Sequence, residues 1–74
     1  MLEELKAMIC NYIDIDPDEI TKDSEIRKDI GMSSLDIINL AVEIEDAYGV
    51  VLQNEDISSI TTVGELITFI EMKK

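Results

Sequence analysis

Two adjacent hydroxyls, Ser33 and Ser34, follow Gly31 and Met32 and stand directly ahead of an apolar-periodic stretch. A serine in that place caps a helix by accepting from the N–H two or three residues on, and Asp36 completes a weaker form of the reciprocal capping box. Ser33 is thus occupied by its own helix. Ser34, at the first helical position, has no such obligation and is expected to point outward. The free N–H groups and positive dipole end of a helix N-terminus form a natural seat for a phosphate. Below the serines, Asp36, Asn39, Glu43 and Asp46 recur at i, i+3, i+7 and i+10 and line up along one face, bordered by Leu35 and Val42. The plainer alternatives are a serine kept for capping and solubility and a solvated acidic helix face.

The rest of the chain narrows the chemistry. It has no histidine, so the commonest metal ligand and general base is missing, and a zinc site or a Ser-His-Asp hydrolase is excluded. Its one cysteine, Cys10, forms no internal disulfide and has no acid or base partner suggested by spacing; it is read as a packing residue. Asp14, Asp16, Asp18 and Glu25 imitate the spacing of an EF-hand calcium loop, but Glu19 stands where that loop needs glycine and Pro17 stiffens the turn. No dedicated metal site is expected.

The elements that must position these groups follow from periodicity. Leu2, Leu5, Ile9, Tyr12 and Ile13 fall at helical spacing, which predicts a first helix over residues 2–13. From Asp14 to Met32 apolar residues are scattered, and this stretch reads as a loop pinned by Ile15, Ile20, Ile26 and Ile30, with a short turn after Pro17. A second helix is predicted from Ser34 to Tyr48 and stopped at Gly49, with Ile37, Leu40, Ala41, Ile44 and Tyr48 as its buried stripe. Glu55 to Ser59 has room for one or two turns at most. Thr62-Val63-Gly64-Glu65 is a full capping box opening a last helix that ends near Met72. Three longer helices and one short one, without strand alternation, predict an all-α fold: a small antiparallel four-helix bundle formed by residues 1–74 as a single domain.

Seventeen Asp and Glu against six Lys and Arg give a net charge of −11 over 74 residues. That sign disfavours nucleic acid and anionic membranes and points to a basic protein partner. At 46% hydrophobic residues the chain differs from acidic disordered tails and is expected to fold. Neither a signal-peptide pattern at Met1 nor an apolar run near the roughly 18 residues of a membrane span is evident, so a cytoplasmic monomer is expected.

Asp29-Ile30-Gly31-Met32-Ser33-Ser34-Leu35-Asp36, followed by Ile37, Ile38, Asn39, Leu40 and the acidic Glu45-Asp46, resembles the acyl carrier proteins. Their signature is an acidic and an apolar residue, Gly, a variable residue, then Asp-Ser-Leu-Asp opening an acidic helix. The first helix, the long loop, Tyr48 and Ile60-Thr61-Thr62-Val63 also fall at family-like places. The resemblance implies that Ser34 carries a 4′-phosphopantetheine arm, derived from coenzyme A and joined through a phosphodiester, whose thiol bears acyl groups as thioesters in fatty-acid, polyketide or related biosynthesis. It implies a carrier rather than an enzyme, since the cofactor holds the reactive sulfur and partners supply the catalysis. The implied partners are a phosphopantetheinyl transferase and acyl-loading and acyl-processing enzymes with basic docking patches. They would be met by Leu35, Asp36, Asn39, Val42, Glu43, Glu45 and Asp46. Ser33 departs from the family's usual Asp, and Asn39 from its frequent Glu. Both residue types cap a helix, but the change removes a carboxylate beside Ser34 and narrows the transferases expected to accept the chain. An unmodified carrier-like domain with a structural or regulatory role is the alternative.

Overall fold

The computed structural model describes residues 1–73 and consists of α1 (Leu2–Cys10), a 3-10 turn (Pro17–Glu19), α2 (Ser34–Tyr48), α3 (Asn54–Ser59) and α4 (Val63–Lys73). Among the described residues β-structure is confined to one isolated antiparallel bridge, Glu25 with Thr62. The expected all-α architecture of three longer helices and one short one is present. None of these helices is long and apolar enough to cross a membrane.

The first helix is shorter than its periodicity predicts. It ends at Cys10, because the Asn11 N–H donates to the Met8 carbonyl at 3.1 Å and Tyr12 N–H to Ile9 at 3.0 Å, bonds that reach back three residues and tighten the chain into a turn. Asn11 propagates a helix poorly. Tyr12 and Ile13 nevertheless pack against the core, so their apolar signal was sound while their backbone assignment was not. At the other end α4 runs one residue past the expected stop, with the Lys73 ammonium 5.5 Å from the Phe69 ring centroid and near the negative end of the helix dipole.

The core gathers Leu5 and Ile9 of α1, Leu40 and Ile44 of α2, and Val63, Leu66, Ile67 and Ile70 of α4. The long α1–α2 connection completes it. Ile20, Ile26 and Ile30 are buried as expected, and Ile15 packs partly buried against them. Met32, only 2% exposed, is a core residue that spacing did not reveal. Lone apolar residues between glycine and serine carry no periodic signal.

The same connection also caps α4. The carbonyls of Lys22 and Ser24 accept from the N–H groups of Gly64 (2.8 Å) and Val63 (3.0 Å), two donors that a helix start leaves unpaired. Glycine suits position 64, because a Cβ there would lie 3.0 Å from the Lys22 carbonyl oxygen, close enough that the loop would have to give by a few tenths of an ångström. Thr62 and Glu65 form the predicted capping box, with Glu65 N–H donating to Thr62 Oγ1 and Thr62 N–H to Glu65 Oε1, both at 3.2 Å. These bonds fix the loop before it turns, at Gly31 (φ +86°), into α2.

Candidate functional site: the start and outer face of α2

Ser33 has extended backbone (φ −78°, ψ 170°), and its side chain closes a capping box. Asp36 N–H donates to Ser33 Oγ at 3.3 Å, while Asp36 Oδ2 accepts from Ser33 N–H at 3.1 Å and from the Ser33 hydroxyl at 3.0 Å. Asp36 is therefore half-buried and turned back toward its own helix start. Ser34 is exposed in the first helical position, and its hydroxyl makes no hydrogen bond among the described residues. Both serines are exposed, and they differ in bonding: Ser33 Oγ is held by Asp36 in the capping box, and the Ser34 hydroxyl has no such bond among the described residues.

This geometry fits a phosphate-linked group on Ser34. The oxygen is accessible, and the first-turn N–H groups and dipole beside it favour an anion. The exposed neighbour Leu35, 67% accessible, leaves the surroundings open.

The outer face of α2 divides into two flanks. Tyr12 hydroxyl, from the turn after α1, donates to Glu43 Oε1, so Glu43 is half-buried and held by a neighbouring element. That bond, followed by burial and by the charges of Glu43 and Asp36, pushes the Tyr12 phenol above its ordinary pKa. Asn39, Val42 (59% accessible) and Asp46 are exposed along the middle of the face. Exposed Ile38 and Glu45 lie on the flank toward α3, where with Val42, Leu52, Asn54 and Ile57 they line a shallow depression of about 140 Å³. Sequence reasoning missed two members of this surface. Tyr12 was counted only as part of an apolar stripe, although its polar tip is what an amphipathic ring puts at a surface. Ile38, 46% accessible, falls outside the buried arc on a helical wheel and should have been read with Leu35 and Val42.

Beneath this surface, Ile37, Leu40, Ala41, Ile44, Leu52, Ile57 and Leu66 enclose an apolar pocket of about 20 Å³, room for about one water. A larger open concavity of about 600 Å³ runs along α4 and includes no residue of α2. The acidic 14–25 segment is not built as a calcium loop: Asp16 accepts from Asp18 N–H at 2.9 Å to start the 3-10 turn, and Glu25 joins the bridge to Thr62. Among the described residues no three His, Cys, Asp or Glu side chains gather as a metal-holding group.

The family of phosphopantetheine attachment sites matches residues 3–70. A protein from Mycobacterium tuberculosis described as an acyl carrier protein superposes with a TM-score of 0.84 at 28% identity, over 96% of this chain and 95% of its own. The acyl carrier protein of Enterococcus faecalis superposes with a TM-score of 0.83 at 29% identity, over 99% and 92% of the two chains. With the family match covering nearly its whole length, this chain belongs to the phosphopantetheine-attachment family, as an acyl carrier protein-like domain whose cofactor is covalently bound 4′-phosphopantetheine.

Proposed function

We propose that residues 1–74 act as one monomeric carrier domain whose Ser34 hydroxyl bears the phosphopantetheine arm, and that the domain carries acyl groups between enzymes without catalysing their chemistry. The observation that carries this reading is the division between Ser33, bound into its capping box, and Ser34, exposed at the first helical position with its hydroxyl unbonded among the described residues. When bound, the arm supplies a thiol that holds an acyl group as a thioester. The protein's own residues hold the attachment oxygen at a fixed helix start and surround it with a recognisable surface.

That surface is the outer face of α2. Leu35 and Val42 offer small apolar contacts, and Asp36, Asn39, Glu43, Glu45 and Asp46 form the polar and acidic part. On a chain of net charge −11 such a face attracts basic patches on a phosphopantetheinyl transferase and on acyl-processing enzymes, speeding encounter while permitting release. A cytoplasmic setting belongs to the same reading. Fatty-acid, polyketide and related pathways all use such a carrier. The apolar pocket beneath α2 holds only about 20 Å³, so a long acyl tail enters it only if the side chains that line it part.

The test is to load the protein from an acyl-coenzyme A with a broad-specificity transferase and then expose it to hydroxylamine, which cleaves thioesters. An acyl group released from the wild type and absent from a folded Ser34→Ala variant is expected. Acylation of Ser34→Ala, or an acyl group that resists hydroxylamine, would contradict the proposal.

A further inference from the structure

The carboxylates on the face of α2 are not equivalent. Asp36 is turned back into the capping box, and Glu45 and Asp46 are exposed with no hydrogen bond or ion pair among the described residues. Glu43 differs from both. It is fixed from outside its own helix, by the Tyr12 hydroxyl thirty-one residues away in sequence. The bond engages Oε1 and leaves Oε2 without a hydrogen-bond partner among the described residues. Tyr12 is itself anchored, because its ring packs against the core and its backbone N–H is bound to the Ile9 carbonyl.

A flexible glutamate loses rotamer freedom when a partner immobilises it, a cost of about 0.5–1.5 kcal/mol per side chain on association. Glu43 has already lost that freedom in the free protein. One oxygen is held by a neutral donor that does not cancel the charge, and the other remains available to a cation. We propose that Tyr12 is a positioning residue of the docking face, which holds the Glu43 carboxylate in a single orientation for a basic group of the phosphopantetheinyl transferase. This deepens, and rests on, the reading of α2 as the partner-binding surface. It also extends that surface beyond α2 to the turn that ends α1.

The experiment uses the full chain as wild type, Tyr12→Phe, Glu43→Gln and the double variant. Transfer of phosphopantetheine from coenzyme A by a broad-specificity transferase is followed by intact mass, and KM and kcat are measured for each carrier. Tyr12→Phe keeps the ring and removes only the hydroxyl; Glu43→Gln keeps an acceptor for that hydroxyl and removes the charge. Tyr12→Phe is expected to raise KM about 2-fold to 10-fold, the range that the immobilisation cost converts to, with kcat unchanged. In the Glu43→Gln background the same substitution is expected to change KM by less than about 2-fold, because the group it positions is gone.

A KM that is unchanged or lowered in Tyr12→Phe would overturn the proposal. So would an equal rise in the Glu43→Gln background, or a Tyr12→Phe protein that has lost its helical fold, since each assigns Tyr12 a purely structural part. If the wild type takes no arm while a conventional carrier in the same tube does, the carrier reading falls and this inference with it. If the wild type is loaded and the double-variant cycle shows no coupling, only the role of Tyr12 falls.

Discussion

Replacing Ser33 by alanine separates the two serines by their physical roles. Of the three hydrogen bonds in the box, the substitution removes two, from Asp36 N–H to Ser33 Oγ (3.3 Å) and from the Ser33 hydroxyl to Asp36 Oδ2 (3.0 Å). The third, from Ser33 N–H to Asp36 Oδ2 at 3.1 Å, survives because it uses the backbone. Loss of a serine cap costs about 0.5–2 kcal/mol, and an exposed box that keeps one of its bonds belongs near the middle, at about 1 kcal/mol. For a domain of this size that lowers the melting temperature by about 4–8 °C. Urea unfolding followed by circular dichroism is the assay, with the denaturant slope unchanged if the folded and unfolded ensembles keep their exposure. Arm attachment should persist in the variant. Ser33→Asp restores an acceptor for Asp36 N–H but sets a second carboxylate where the hydroxyl now meets Asp36 Oδ2. It should therefore recover only part of the lost stability, and more of it at high salt. A Ser33→Ala protein within about 0.3 kcal/mol of wild type would refute the capping role. A stable variant that no longer accepts the arm would move the attachment site to Ser33.

Reversing Glu45 and Asp46 together to lysine should slow association with the transferase, more strongly at low ionic strength than at high; a defect indifferent to salt would contradict electrostatic steering. Both tyrosines have pKa values raised in the folded protein, Tyr12 chiefly by its bond to Glu43 and Tyr48 chiefly by burial and then by Glu4. A raised folded pKa contributes stability that is complete below the unfolded value, about 10 for tyrosine, and is lost as pH climbs through the folded value. Urea midpoints should fall above about pH 10, and Tyr12→Phe should flatten that fall; an unchanged alkaline slope would remove Tyr12 from the linkage. Gly64→Ala, which puts a methyl against the Lys22 carbonyl oxygen, should cost about 1–3 kcal/mol in the same unfolding assay, whereas a neutral effect would show that the loop yields there.

The parts of the molecule that were legible in sequence are those governed by local rules. The Ser33 and Thr62 capping boxes and the stop at Gly49 (φ +71°) each depend on residues within a few positions of one another, and each appears in the structure at its expected place. Helix-two burial followed periodicity for the centre of the expected stripe, with Leu40, Ala41 and Ile44 buried and Leu35 and Val42 outside, while Ile37 and Tyr48 at its ends are only half-buried against the core. What was illegible depends on contacts distant in sequence. Nothing local to Lys22 and Ser24 shows that their carbonyls will cap α4, nor does anything near Met32 show that it reaches the core. Tyr12 is the functional case. Its place at helical spacing with Leu5 and Ile9 was sufficient to predict packing, but the hydroxyl finds Glu43 only because the α1 turn is folded against α2. The helix-one boundary failed for a related reason, since apolar spacing reports which side chains pack and not whether the backbone between them stays helical.

The most direct test of the account is to incubate the wild-type protein with a broad-specificity phosphopantetheinyl transferase and coenzyme A, and to map the product by fragmentation between Met32 and Leu35. A single phosphopantetheine on Ser34, with Ser33 unmodified, is the expected result. An arm on Ser33, or none at all while a conventional carrier in the same tube is fully modified, would contradict the assignment of the exposed Ser34 hydroxyl as the attachment point.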